Sequence, residues 1–342
     1  MRHGFLRLLP ALILIVLLAG CSDGSSAPPL TEGEKAMLAL RDQYPSPGQL
    51  IDVGGYRLHL WCRGEGSPTV IMEAGWGGWS LLWGEVPTGA ASFTRVCVYD
   101  RAGTGWSDPS PSPRRADVIV GELHTLLASS GIAPPYVLVA HSIGGIYVRL
   151  YAHNYPEDVA GMVLIDSSHE DQVLRYPPSL QGLDAAQIED NYRRGRVAAT
   201  GYYALHLSEL ENELAGLIGR LPSAEDNRTM VAVYASRPWT WTSAAEERER
   251  IPQSNEIVHN AHITTLGTIP LIVLAATQGF DLYPPDIAED VKRIHMEMQE
   301  ELAALSPKGR LIKAEKSGHN IHLFQPDLVI EAIREVVQEI RE

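Results

Sequence analysis

Short apolar runs alternate along this chain with longer stretches in which apolar residues recur every three or four positions. Residues 69–73, 95–99, 136–140, 161–166, 270–275 and 310–314 are rich in Val, Ile and Leu and are bounded by Gly, Pro, Asp or Ser. Runs of this kind read as strands buried on both faces. Helical spacing follows at 117–129 (Val118, Leu123, Leu126, Leu127), 146–154, 286–305 and 326–341 (Leu328, Ile330, Ile333, Val336, Val337, Ile340). Upstream, Thr31 and Glu34 form a capping-box pattern that opens a short helix over 31–41. Residues 49–53 and 56–62 flank Gly54-Gly55 and read as a hairpin. Strands alternating with helices predict an α/β fold with a mostly parallel eight-stranded sheet, the hairpin adding an antiparallel edge.

Residues 168–263 break that rhythm. They carry helical segments at 185–196, 208–220, 244–250 and 255–264 and no strand, so they read as a helical cap inserted between two sheet strands. Trp239 and Trp241, together with Tyr192, Tyr202 and Tyr203, are candidates to face a ligand under such a cap. The organisation expected is a leader over 1–20, a tether and short helix over 21–48, a first core half over 49–167, the cap over 168–263 and a second core half over 264–342.

Composition narrows the partners. Of 342 residues, 45% are hydrophobic and 20% charged, ordinary for a globular chain. The formal charge is −14 with no basic block, which argues against nucleic acid. Arg2 and Arg7 precede an apolar stretch over 8–18 that is shorter than the ~20 residues a membrane span needs. The following Leu18-Ala19-Gly20-Cys21 resembles the lipobox of bacterial lipoproteins. That resemblance implies cleavage before Cys21, lipidation of Cys21, and a membrane-anchored protein facing the periplasm or cell exterior. Ser22 rather than Asp at the next position implies the outer membrane where the cell has one. Cys62 and Cys97 then remain in an oxidising compartment.

The candidate chemistry centres on Ser142. It lies between a strand and a helix with the small residues Ala140 and Gly144 two positions to either side, as a nucleophile elbow requires; a helix-capping Ser is the plainer alternative. A Ser hydroxyl needs a base. His319, in a Gly-containing loop after the last strand, suits that role, with His322 a rival. Strand alternation turns His141 away from the site if Ser142 faces it, so His141 reads as packing. Two carboxylates can orient the base: Asp166 at a strand end, favoured for its rigid support, and Asp281 in the loop after the next strand. Asp286, beside Pro285, is a more distant candidate. No dinucleotide fingerprint or ligand-spaced cluster is present, so no cofactor and no metal are expected.

Four stretches then coincide: Glu73-Ala74-Gly75-Trp76-Gly77-Gly78, Tyr99-Asp100-Arg101-Ala102-Gly103-Thr104-Gly105-Trp106-Ser107, the Ser142 elbow, and Ser317-Gly318-His319-Asn320-Ile321-His322. Each follows a predicted strand, in an order that resembles the α/β-hydrolase family, specifically its serine esterase and lipase-like members. The resemblance implies backbone oxyanion donors at Ile143 and Trp76, a pocket touched by Gly75 and Trp106, and a disulfide between Cys62 and Cys97 on neighbouring strands. The family commonly has His-Gly where this chain has Glu73-Ala74-Gly75, which leaves the Glu73 carboxylate without an evident role. The implied activity is hydrolysis of a small-molecule carboxylic ester through an acyl-enzyme. Thioesterase, amidase, lactonase, peptidase and acyltransferase chemistry share the same triad, and some members of the fold are non-catalytic binding modules. Epoxide hydrolases and haloalkane dehalogenases share the 100–107 motif but use an Asp nucleophile, against which Ser142 argues.

Overall fold

The computed structural model describes residues 29–180, 184–218 and 220–342. The leader, Cys21 and most of the tether lie outside the described residues, among which no helix is long and apolar enough to cross a membrane.

Eight strands form one sheet: β1 (Gln49–Asp52), β2 (Arg57–Arg63), β3 (Thr69–Glu73), β4 (Val96–Tyr99), β5 (Tyr136–His141), β6 (Val159–Ile165), β7 (Leu271–Ala276) and β8 (Gly309–Ala314). Their spatial order is β1-β2-β4-β3-β5-β6-β7-β8. The first two pairings, β1 with β2 and β2 with β4, are antiparallel, and the remainder are parallel. The apolar runs are continuous because both faces are covered. Along β5, Val137 and Val139 join one buried cluster while Leu138 and Ala140 join the other. β6 and β7 divide likewise, Val163 and Ile272 against Leu164 and Val273. Helices Ala116–Ser130 and Gly144–Asn154 cover the face that carries Leu138 and Ala140; Val86–Ala90 and the C-terminal helix Pro326–Arg341 cover the face that carries Val137 and Val139. On that C-terminal helix the buried stripe is Val329, Ala332, Ile333, Val336 and Val337, with Leu328, Ile330 and Ile340 at its margins.

Cys62 and Cys97 face each other in the β2/β4 register, Cα atoms 4.0 Å apart, and are joined by a disulfide. Asp100 N–H donates to His59 O, so the ladder alternates to place the two Cys at the closer, non-hydrogen-bonded pairing.

Between β6 and β7 the chain is helical, but the segments differ from those read in the sequence. Residues 244–250 and 255–260 belong to a single helix, Trp239–Asn260, that continues through Pro252, and the expected segment 255–264 stops at Asn260. A helix at Ala224–Ser236 had no counterpart in the apolar pattern, although Ser223 caps it by accepting from Asp226 N–H. A third apolar cluster unites this cap with the N-terminal helix Glu32–Gln43, whose Thr31–Glu34 capping box is formed. Trp241 sits inside that cluster against Tyr234, and Trp106 packs there against Trp79.

Candidate active site

β5 and β6 end side by side and β8 ends beyond β7, and the loops that follow these three strands meet at Ser142. That residue takes φ = 54° between the strand and helix Gly144–Asn154. A non-glycine residue in the left-handed region costs on the order of 1–3 kcal/mol and persists only where its surroundings hold it. Here Ser142 N–H donates to Ile165 O (3.1 Å), and Ser142 O accepts from Ser168 N–H (2.9 Å) and Gly145 N–H (3.0 Å). Glycine is demanded just beyond. A Cβ on Gly144 would stand 2.6 Å from Glu73 O, and one on Gly145 would stand 2.3 Å from Ser167 Oγ.

Asp166, the first residue past β6, also has positive φ (43°) and donates its N–H to Leu274 O at 2.7 Å. Its Oδ2 lies 2.7 Å from His319 Nδ1, and His319 Nε2 lies 2.9 Å from Ser142 Oγ. An ionised carboxylate only accepts, so Nδ1 carries the proton and Nε2 offers its lone pair to the hydroxyl. Asp166 Oδ1 accepts from Ala276 N–H at 2.8 Å, and His295 Nε2 stands 2.9 Å from Asp166 Oδ1. Burial would raise the Asp166 carboxyl, but the His295 and His319 imidazoles outweigh it and hold it well below the usual carboxylate range.

The other acid candidates stand apart. Asp281 is exposed in the turn Phe280–Leu282, and Asp286 is exposed beyond it. His322 is buried against Trp83 and His141; burial and the neighbouring His319 push its imidazole down to about 3. The expectation that His141 points away from the site does not hold. The positive φ of Ser142 interrupts strand alternation, and His141 packs between His319 and His322, its Nε2 3.0 Å from His319 O. Burial, then those two imidazoles, keep it well below the ordinary histidine range.

Gly75 lies directly against the elbow: a Cβ there would be 3.2 Å from Ser142 Cβ and 2.7 Å from His141 Nδ1. Among the described residues the backbone N–H groups of Ile143 and Trp76 have no hydrogen-bond acceptor. The Trp76 indole donates to Ala244 O of the helix Trp239–Asn260 (2.7 Å), and the Arg248 guanidinium lies over its ring. The indole N–H groups of the aromatic pocket candidates are each taken by a backbone carbonyl. Trp106 donates to Tyr44 O and Trp239 to Ser107 O, which link core to N-terminal helix and cap to core, while Trp241 donates to Tyr234 O within the cap. Large aromatics are needed to fill that three-way junction, and composition could not distinguish it from a pocket.

His295 and Arg101 are the site neighbours that sequence reasoning did not single out. For His295 a signal existed: with Val291, Met298 and Leu302 it falls on the buried stripe of helix Ala288–Ala303. No group of three or more His, Cys, Asp or Glu among the described residues is placed to hold a metal ion.

A strand–Ser–helix elbow, a His after the last strand and an acid at a strand end, all on one edge of this sheet, define a hydrolase architecture. The alpha/beta hydrolase fold model matches residues 68–326, and the chain belongs to that family. An AB hydrolase superfamily protein of Gibberella zeae is 26% identical over 293 residues, covering 80% of this chain and 87% of that protein. A probable transporter of Hormonema carpetanum is 27% identical over 306 residues; the match covers 85% of this chain but spans only 42% of that relative's length. Among solved structures, a thermophilic esterase from Thermogutta terrifontis superposes with a TM-score of 0.54 at 21% identity, over 84% of this chain and 95% of that one.

Proposed function

We propose that this protein is a serine hydrolase that cleaves small-molecule carboxylic esters through an acyl-enzyme. One observation carries the reading: the unbroken chain from Asp166 Oδ2 through His319 to Ser142 Oγ, with links of 2.7 and 2.9 Å. In it, His319 Nε2 takes the Ser142 proton as Oγ attacks the ester carbonyl carbon. The negative charge developing on the carbonyl oxygen is received by the Ile143 and Trp76 N–H groups. The C–O bond to the alcohol then breaks, and His319 returns the proton to the leaving oxygen. Water, deprotonated by the same imidazole, attacks the acyl-Ser142 ester and releases the acid. The His319 side chain is 53% exposed, so solvent reaches the base, which favours hydrolysis over transfer to a second acceptor.

The Leu18–Cys21 pattern supports a lipid-anchored, exported setting, and the Cys62–Cys97 bridge accords with an oxidising compartment. The test is active-site labelling with a fluorophosphonate probe. Wild type should label and Ser142→Ala should not, and the same substitution should abolish hydrolysis of p-nitrophenyl butyrate. Equal labelling of both proteins would refute the assignment.

A further inference from the structure

The loop carrying the proposed oxyanion donor is closed by one bond of its own, Gly78 N–H to Gly75 O (2.9 Å), and is held from outside by Arg101. Arg101, 2% exposed, projects from the loop after β4 into the space beneath residues 74–76. Its Nη1 donates to Ala74 O (2.7 Å) and its Nη2 to Gly75 O (2.7 Å). The guanidinium is held in turn by two buried carboxylates. Glu73 Oε1 accepts from Nη1 at 2.6 Å, and both Glu247 oxygens, from helix Trp239–Asn260, accept from Nη2 at 3.0 and 3.1 Å. Tyr99 and Tyr147 donate to Glu73 and Glu247 respectively. Burial would lower the Arg101 guanidinium, but Glu247 and Glu73 more than compensate, so it stays charged.

The peptide geometry turns this anchorage into a functional statement. Gly75 C=O and Trp76 N–H belong to one planar trans unit, so they point in opposite directions. Pinning Gly75 O toward Arg101 turns Trp76 N–H away from it. Gly75 is also the residue whose added Cβ would touch Ser142. Donation to a carbonyl further polarises the same peptide and strengthens its N–H as a donor. The planar fork of Arg is what allows two successive carbonyls to be held at once; Lys, a point charge, cannot reproduce it.

We infer that Arg101 is a positioning residue: it sets the Gly75–Trp76 peptide as an oxyanion donor and, through Glu247, ties that setting to the cap. Glu73 thereby gains a role, as the carboxylate that holds the guanidinium from the sheet side. The inference rests on the serine-hydrolase reading above. It differs from a purely structural role in what it predicts for kinetics. Losing the guanidinium removes an interaction made in the transition state, so kcat falls while KM stays nearly constant.

The experiment compares wild type, Arg101→Met and the charge-free triple variant E73Q/R101M/E247Q, which leaves no buried carboxylate stranded if the single variant fails to fold. Steady-state hydrolysis of p-nitrophenyl butyrate is read beside inhibition by an aryl trifluoromethyl ketone, whose adduct on Ser142 carries an oxyanion, and beside the fluorophosphonate labelling rate. In the folded variants kcat should fall ~100-fold with KM within about 3-fold, and the ketone Ki should rise in parallel. A folded triple variant with kcat within about 3-fold of wild type, or with the loss confined to KM, overturns the positioning role. Absence of labelling in wild type instead refutes the serine-hydrolase reading and this inference with it, so the two failures are told apart.

Discussion

Replacing Asp166 with Asn tests the proposed triad most directly, because shape is retained while charge and acceptor pattern change. Oδ1 of Asp166 faces Ala276 N–H and must remain an acceptor there. In the Asn variant the amide oxygen takes that position, so the NH₂ group faces His319 Nδ1. A donor at that point favours the tautomer with its proton on Nε2, and such an imidazole cannot accept from Ser142 Oγ. The electrostatic loss adds to this. An imidazolium and a carboxylate about 4 Å apart attract by about 4 kcal/mol at an effective dielectric of ~20, close to a thousandfold in rate. Where an acid–base–Ser system loses its acid in this way, the fall in kcat is about 10⁴. We therefore expect Asp166→Asn to lose 10³- to 10⁴-fold in kcat on p-nitrophenyl butyrate, with about unchanged KM. Exposed Asp281, changed to Asn, should stay within about 2-fold of wild type. Melting curves of both variants should match wild type closely enough to show that each is folded. If Asp281→Asn is the crippled enzyme and Asp166→Asn is not, the hydrogen-bond chain described above is not the catalytic one.

Two further predictions concern stability. The Cys62–Cys97 bridge closes a loop with a sequence separation of 35, and the double C62A/C97A variant should lose on the order of 4 kcal/mol in denaturant unfolding; two free thiols in unreduced protein would refute the bridge. His322, held down to about 3, binds no proton in the folded protein at pH 4.5 while the unfolded chain does. Stability from this group is complete above the unfolded value of about 6.5 and is lost as pH falls toward 3, which amounts to roughly 2–3 kcal/mol between pH 7 and pH 4.5. The variant His322→Gln should flatten the acid limb of stability against pH by that amount, and an unchanged slope would show that His322 does not remain neutral when folded.

Most of the sheet was legible in the sequence because its central strands are covered on both sides, and a strand buried on both faces leaves an unbroken apolar run. The cap was less so. Its helices meet the core through tryptophans and tyrosines at a three-way junction, and their spacing carries no sign of which partner each ring will meet. Pro252 illustrates the limit: it falls between two helical segments expected separately, yet it lies inside one continuous helix, where Ser254 Oγ accepts from Ala116 N–H and fixes the far half against the core. Tertiary packing overrides the local preference there.

At the site the division follows a different rule. Ser142, Asp166 and His319 were traceable because each lies at a strand end or in the loop that follows one, and that place combined with a small set of residue types is a local pattern. Arg101, Glu73 and Glu247 are separated by 28 and 146 residues along the chain, and nothing local marks them as partners. Glu73 had no evident role because the family commonly has His-Gly at that place; a buried carboxylate nonetheless demands a counter-charge, and that demand is itself a usable signal. With a Glu at the end of a strand predicted to be buried on both faces, a cation must come from a neighbouring element. Arg101 follows the adjacent strand β4, one step past Asp100, whose carboxylate is already taken by His59 and by the N–H groups of Ser80 and Trp106. The charge pairing could thus have been anticipated between the two loops; the second carboxylate could not. Glu247 comes from the cap, and it makes the loop that carries the proposed oxyanion donor dependent on a segment inserted after Asp166. A cap that repacks to accept a different substrate must therefore keep a carboxylate over Arg101, or give up the setting of the Gly75–Trp76 peptide.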